Sequence, residues 1–193
     1  NSLLQVAEAN AGQSMTWSVT SGPTNGTLSG FNYVTTSTGS NLTPTGLTYT
    51  PATGYSGTDA FTITVSDGIA TASTTINVTV NPNPTVNTVS NQTVCNGTAT
   101  TAVSFSGALS STTYNWTNSA TSIGLAASGT GDIPSFTAAN AGTTPVTATI
   151  TVTPVKAGCT GATATFTITV NPTPTVNTVS NQTLCAGAST TAV

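Results

Sequence analysis

Charge is nearly missing from this sequence. Its 193 residues include one basic residue (Lys156), four acids (Glu8, Asp59, Asp67 and Asp132) and no histidine. Only 3% of the chain is charged, for a net charge of −3, where an ordinary globular domain carries roughly 25%. A chain with a single cation has no counterion release to drive nucleic-acid binding and nothing to draw it to an anionic membrane. Neither partner is expected. The absent histidine removes the usual base for a serine nucleophile. The acids are too scattered for paired-carboxylate chemistry, because Asp132 stands alone in its half and Asp59 and Asp67 flank one short strand. No catalytic residue and no enzyme activity are expected. No apolar run has the length of a membrane span, so membrane insertion is not expected either. No charged segment followed by an apolar core marks a signal peptide. Numbering opens on Asn1 rather than Met, and both ends are expected to be cuts in a longer chain.

Hydroxyls and amides stand where charges would be. Threonine alone is about a quarter of the chain, with serine, asparagine and glycine making up much of the rest. Such a surface keeps its properties over a wide range of salt and pH, since little on it titrates or is screened. It suits a secreted, cell-surface protein in open water. Asn-x-Ser/Thr sequons at Asn25, Asn41, Asn77, Asn91, Asn96, Asn115 and Asn181 are read as products of this composition.

An internal repeat gives the organisation. NPNPTVNTVSNQTVCNGTATTAV, Asn81–Val103, returns as NPTPTVNTVSNQTLCAGASTTAV, Asn171–Val193, at an offset of 90 residues and with 18 of 23 positions identical. The domains expected are therefore 1–81, 82–171, and 172–193 as the opening strands of a further, truncated copy. The three cysteines fit the same frame. Cys95 and Cys159 fall in the complete repeat and are expected to form a disulfide, the alternative being two buried free thiols. Cys185 repeats Cys95 and is expected to be orphaned by truncation. Closing a loop of that length would stabilise by roughly 4 kcal/mol.

Period-2 alternation marks strands in Ala60–Val65, Thr74–Val80, Val146–Val152 and Ala164–Val170, with aliphatic residues on one face and threonines on the other. Shorter strands are expected at Met15–Val19, Leu47–Thr50, Val86–Val89, Ala102–Phe105 and Thr113–Trp116. Turns are expected at Gly22-Pro23, Asn25-Gly26, Ser66-Asp67-Gly68, Gly129–Asp132 and Ala157-Gly158. No segment has a helical period. The fold class expected is all-β, as tandem immunoglobulin-like β-sandwiches, joined by the short proline-containing linkers Asn81–Pro84 and Asn171–Pro174, which alternate proline and so should be stiff.

On NPTPTVN, the SNQTVCNG block, TTYNWTN around Trp116, IGLAASGTG and the closing TATFTITVNP, residues 84–170 resemble the PKD-like repeats of giant surface proteins of Bacteroidota. That resemblance implies a sandwich with Trp116 in its core, in an outer-surface adhesin or filament of the type IX secretion, gliding-motility kind. GPTNGTLSG followed by LTYTPATGYSGTDAFTITVSDG makes the first part similar to bacterial cadherin-like or Ig-like tandem modules. Related modules sometimes hold calcium at junctions rich in aspartate, and most of those aspartates are missing here.

The remaining candidates are few. Glu8, Asp59 and Asp67 are the weak candidates for calcium, against the reading of Asp67 as a hairpin turn and Asp59 as a local backbone acceptor; no cofactor is expected. Lys156 is the one amine available for an isopeptide crosslink, with Asp132 as the neighbouring acid, and is read instead as a solvated loop lysine. Trp17 and Trp116 are expected in the core. Tyr33 and Tyr55, in loop-like stretches, are the better candidates for exposed contacts with glycans. The function expected is a structural spacer or filament shaft whose partners are neighbouring repeats. The alternative is a binding module that recognises glycans or adds a strand to another copy in a head-to-tail filament.

Overall fold

In a computed structural model the protein is described over residues 4–190. The described chain divides between Pro82 and Asn83 into two compact units. Each is a β-sandwich, and the described residues contain no α-helix.

In the first unit, the strands β1 (Val6–Ala7), β2 (Ala11–Ser21), β3 (Gly26–Ser29), β4 (Tyr33–Thr38), β5 (Asn41–Leu42), β6 (Thr48–Pro51), β7 (Gly57–Ser66) and β8 (Thr71–Val80) follow in order. One face is a four-stranded antiparallel sheet, β4-β2-β7-β8; the other is built from the pairs β3-β6 and β1-β5. The alternation in β7 turns Phe61 and Ile63 inward and leaves Thr62 and Thr64 outward. Met15, Trp17, Phe61 and Ile63 then meet Leu4 and Leu47 across the sandwich. Outside, hydroxyls pair across strands, as in Thr62–Thr75 (3.0 Å), Thr64–Ser73 (2.8 Å) and Ser29–Thr48 (2.6 Å). Such pairs are the neutral counterpart of cross-strand charge pairs.

The second unit contains β9 (Gln92–Cys95), β10 (Thr113–Asn118), a 3-10 turn at Thr121–Ile123, β11 (Ser128–Thr130), β12 (Val146–Lys156), β13 (Cys159–Thr160) and β14 (Ala164–Asn171). They form one sheet in the order β11-β10-β12-β14-β9, with β13 also on β12. Every pairing is antiparallel except β9 on β14, which is parallel. Ala148, Ile150 and Val152 of β12 and Phe166, Ile168 and Val170 of β14 are buried and face Val103, Phe105, Ile123, Leu125 and Ile133. Trp116 lies in this core, its ring so close over the β11 backbone that a Cβ on Gly129 would sit 2.2 Å from it. Only glycine fits there.

Two expected strands are absent. Ala102–Phe105 contributes only an isolated bridge, Val103 to Ile133, and Val86–Val89 contributes none, although Val86 and Val89 pack against the core. At Val86–Val89 one backbone bond remains, from the Asn87 N–H to the Ser106 carbonyl (2.7 Å), and beside Ala102–Phe105 side chains take over part of the ladder. The Asp132 carboxylate accepts from the Phe105 N–H (2.8 Å), and the Gln92 amide both donates to the Thr101 carbonyl (2.9 Å) and accepts from its N–H (2.9 Å). Gln92 thus imitates a strand neighbour, while Asn91 accepts from the Thr167 N–H on β14 (2.8 Å). The repeated Ser-Asn-Gln-Thr block is structural glue. Residues 172–190 are counted with the second unit and carry no strand.

Candidate functional site

Asp59 is the one buried acid, 6% exposed. Alternation along β7 puts it on the inward face with Phe61 and Ile63, and a carboxylate so placed must be met by donors. Four meet it. Oδ1 accepts from the N–H groups of Thr24 (3.0 Å) and Ala60 (2.9 Å); Oδ2 accepts from the Asn25 N–H (2.9 Å) and the Tyr49 hydroxyl (3.0 Å). Burial pushes the Asp59 carboxyl up, but the bonds from Thr24, Asn25, Ala60 and Tyr49 outweigh it and hold the group below its usual range. Burial first, and then the bond to Asp59, push the Tyr49 phenol up. The cluster ties the Gly22–Gly26 turn to β7.

The three acids expected as weak calcium ligands do not gather. Asp59 accepts from four protein donors, and Asp67 lies eight residues further on, just past the end of β7, roughly 25 Å away at strand rise. Asp67 closes the β7–β8 turn, its Oδ1 accepting from the N–H groups of Ile69 (2.8 Å) and Ala70 (2.6 Å), which hold its carboxyl below the usual range. Glu8 accepts from the Asn10 N–H (2.8 Å) and borders, with Asp67 and Met15, an open hollow of about 320 Å³. Among the described residues no three of His, Cys, Asp and Glu come together.

The cysteine pairing is a second correction. Cys95, Cys159 and Cys185 are all free thiols. Cys95 stands opposite Asn171, one step beyond the pairing of Val170 with Val146 at the start of β12, whereas Cys159 stands opposite Lys156 at the end of β12. Ten residues of strand separate those ends, roughly 33 Å, and a disulfide requires Cα atoms within about 7 Å. Equal membership of one repeat did not place the two cysteines side by side, because β12 carries them to opposite poles. Cys185 is exposed.

Lys156 donates from Nζ to the Ser110 carbonyl, and Asp132 is engaged elsewhere, by Phe105. The Lys156–Asp132 pair, the alternative to a solvated lysine, is not assembled. Trp17 is 1% exposed and donates from Nε1 to the Leu4 carbonyl (3.1 Å); Trp116 donates likewise to the Gly131 carbonyl (3.1 Å). Tyr33 is not in a loop. It opens β4 and packs edge-on against Trp17, 5.7 Å between centroids. Tyr55 is half-buried and donates to the Thr58 carbonyl (2.6 Å).

A polar cradle at the pole from which the chain leaves the second unit was missed in the sequence. Asn140, 4% exposed, donates from Nδ2 to the carbonyls of Val170 (2.8 Å) and Thr144 (2.9 Å) and accepts at Oδ1 from the Gly142 N–H (2.9 Å). Its own N–H donates to Asn96 Oδ1 (2.8 Å), and Asn96 Nδ2 reaches Thr173 Oγ1 (3.1 Å) in the linker. These groups line a hollow of about 430 Å³ with Pro172 and Pro174. The Asn140-Ala141-Gly142 turn sequence was the available signal.

Residues 2–81 match the family model described as bacterial Ig domain. No curated protein matches the chain. Among solved structures, an endo-fucoidan hydrolase of glycoside hydrolase family 107 is 20% identical over 83% of this chain, with a TM-score of 0.32; the chain spans 24% of that protein. Domains EC1-2 of human protocadherin-24 are 14% identical over 83% of each chain, with a TM-score of 0.33. Domains 4 and 5 of the S-layer protein SbsC are 16% identical over 84% of this chain and 100% of theirs, with a TM-score of 0.30. All three scores are low. The fold is that of tandem immunoglobulin-like β-sandwiches.

Proposed function

We propose that this chain is a spacer segment of an extracellular bacterial surface protein, a stretch of an adhesin stalk or filament shaft in which length and a neutral surface are the useful properties. The observation that carries this reading is the path of the chain through each unit. In the first, Leu4 lies by Trp17, Ala72 and Ser73, and the chain leaves at Val80, the other end of β8. In the second, Pro84 lies against Gly161, which also neighbours Pro154 near one end of β12, and the last strand ends at Asn171 near the other. Each of the two units is therefore crossed from pole to pole, as a module of a repeated array would be. The proline-containing joints and the hydroxyl-covered sheet faces agree with that use, and so does a first part that matches a family without catalytic machinery.

The test is a glycan array probed with the whole chain, alongside sedimentation at rising salt. The spacer reading expects no reproducible glycan binding and an unchanged monomer from low to high ionic strength. Reproducible, saturable binding to one glycan class would replace it with the binding-module reading.

One observation favours a second reading, a head-to-tail filament subunit. Val176, Val179 and Leu184 are 94%, 67% and 46% exposed, while their repeat equivalents Val86, Val89 and Val94 pack against the core of the second unit. A segment able to pack on such a core in one copy can do so on another chain. Light scattering decides it: a ladder of oligomers that disappears when residues 174–193 are deleted supports it, and a monomer at high concentration removes it.

A further inference from the structure

β8 and β14 are counterparts. At the offset of 90 residues that relates the two repeat blocks, TTINVTVNP (Thr74–Pro82) stands where ATFTITVNP (Ala164–Pro172) stands. Each is the last strand of its unit, yet the two sheets treat them differently. β14 lies between β12 and β9, whereas β8 ends its sheet and, among the described residues, pairs with β7 alone. Burial follows. Phe166, Ile168 and Val170 are 3%, 1% and 0% exposed, while their counterparts Ile76, Val78 and Val80 stay half-buried. The open edge of β8 runs from Thr71 to Val80 with no charge, no proline and no break in its register with β7. It lacks the devices that usually keep such an edge from pairing.

The segment that covers β14 is short and grips backbone. Gln92–Cys95 lies parallel on Ile168–Asn171. At its ends the Thr167 N–H donates to Asn91 Oδ1 (2.8 Å), and the Asn96 N–H donates to the Asn171 carbonyl (2.8 Å). Neither bond uses a side chain of β14, so the same grip fits β8, where residues 77–81 read NVTVN against TITVN. A second version of the covering segment is present in the chain: Asn181–Cys185 reads NQTLC where Asn91–Cys95 reads NQTVC. It belongs to no strand, and Leu184 is 46% exposed where Val94 packs on the core. Upstream the match continues. Beside Ala72 and Thr74 an apolar slot of about 190 Å³ opens on Trp17 and Ile63, and Val176 and Val179 are exposed where Val86 and Val89 are packed. Neither strand is charged, so nothing repels one copy from another.

We propose that the outer edge of β8 is the acceptor for residues 174–185 of a second copy of this chain, added as a parallel strand with Gln182–Cys185 opposite Val78–Asn81. The proposal rests on the head-to-tail filament reading and names the surface that reading requires. By the pattern of β9 on β14, Asn181 Oδ1 accepts from the Asn77 N–H, the Ala186 N–H donates to the Asn81 carbonyl, and Leu184 covers the core beside Val80. Donor and acceptor are different segments, so the contact is heterologous and each copy both gives and takes a strand.

The whole chain tests this. Asn81→Cys puts a thiol opposite Cys185 of the second copy, across one strand spacing of about 4.8 Å and inside the reach of a disulfide. After equilibration in a glutathione redox buffer, non-reducing peptide mapping on mixed isotope-labelled and unlabelled chains should find residue 81 bonded to Cys185 between molecules. Asn77→Cys, four residues out of register, should not trap Cys185. A second measurement needs no cysteine. The groups of Thr167 and Asn171 that face β9 belong to odd-numbered residues, so Thr79→Pro removes an outward N–H at a place where an edge strand tolerates proline. Thr79→Pro should abolish the oligomer ladder seen by light scattering, and so should Leu184→Asp, which alters only an exposed donor residue. A ladder that persists in both variants would overturn the β8 site and leave the filament reading standing. A strict monomer with no bond from residue 81 to Cys185 would remove both, and a bond formed only within one molecule, or equal trapping by residue 77, would overturn the register proposed.

Discussion

The two units solve the same problem, a sandwich almost without charge, in different ways. The first buries an ionised carboxylate and arranges a turn, a strand and a phenol around Asp59. The second buries neutral amides: Asn118, which donates to the Leu125 carbonyl (3.0 Å), and Asn140. Their cores differ in the same sense. Among the described residues six buried hydrophobic residues form the first and fourteen the second. A small core held by a charge should depend on pH, and a larger core held by amides on packing.

The largest effect expected is from Trp116→Ala. Removing a core indole together with its bond to Gly131 should cost the second unit about 3–5 kcal/mol, seen in calorimetry as a lowered transition for that unit alone. A matching shift in the first unit would show that the two do not unfold independently. Asn140→Ala comes next, at about 1–3 kcal/mol, since the carbonyl of Val170 loses its side-chain donor in a buried setting. Acid sharpens the contrast from the other side. The folded pKa of Asp59 lies below its unfolded value near 3.9, so its contribution is complete only well above that value, from about pH 5, and is lost as pH falls through the folded value. The first unit should therefore melt earlier at pH 3 than at pH 6, and Asp59→Asn should remove most of that difference while lowering stability at both. If the second unit, whose single carboxylate is the exposed Asp132, fell more steeply in acid, the contrast would be wrong. Smallest of all, Lys156→Gln should change stability by no more than about 0.5 kcal/mol, as measured by chemical denaturation.

The long strands were legible because threonine and aliphatic residues alternate without interruption in β7, β8, β12 and β14. So were the buried tryptophans, each within an alternating run. What could not be read was pairing. The order β12-β14-β9 and the parallel register of β9 depend on contacts far apart in the chain, and they decide where Cys95 and Cys159 lie. Side-chain substitutes for the ladder escaped as well: Gln92 and Asp132 resemble ordinary surface residues until the backbone groups they serve are known. Tyr33 was misjudged for a related reason. Its neighbours Asn32 and Thr35–Thr38 look loop-like by composition, yet β4 is ordered by its pairing with β2.

The parallel register of β9 on β14 also bears on how a unit meets a pull. Chain ends drawn apart load the opening and closing strands in opposite directions along their common axis. The bonds between Gln92–Cys95 and Ile168–Asn171 then resist as a set in shear, where a hairpin peeled from its tip would release them one by one. A tether made of such units should hold until it yields abruptly.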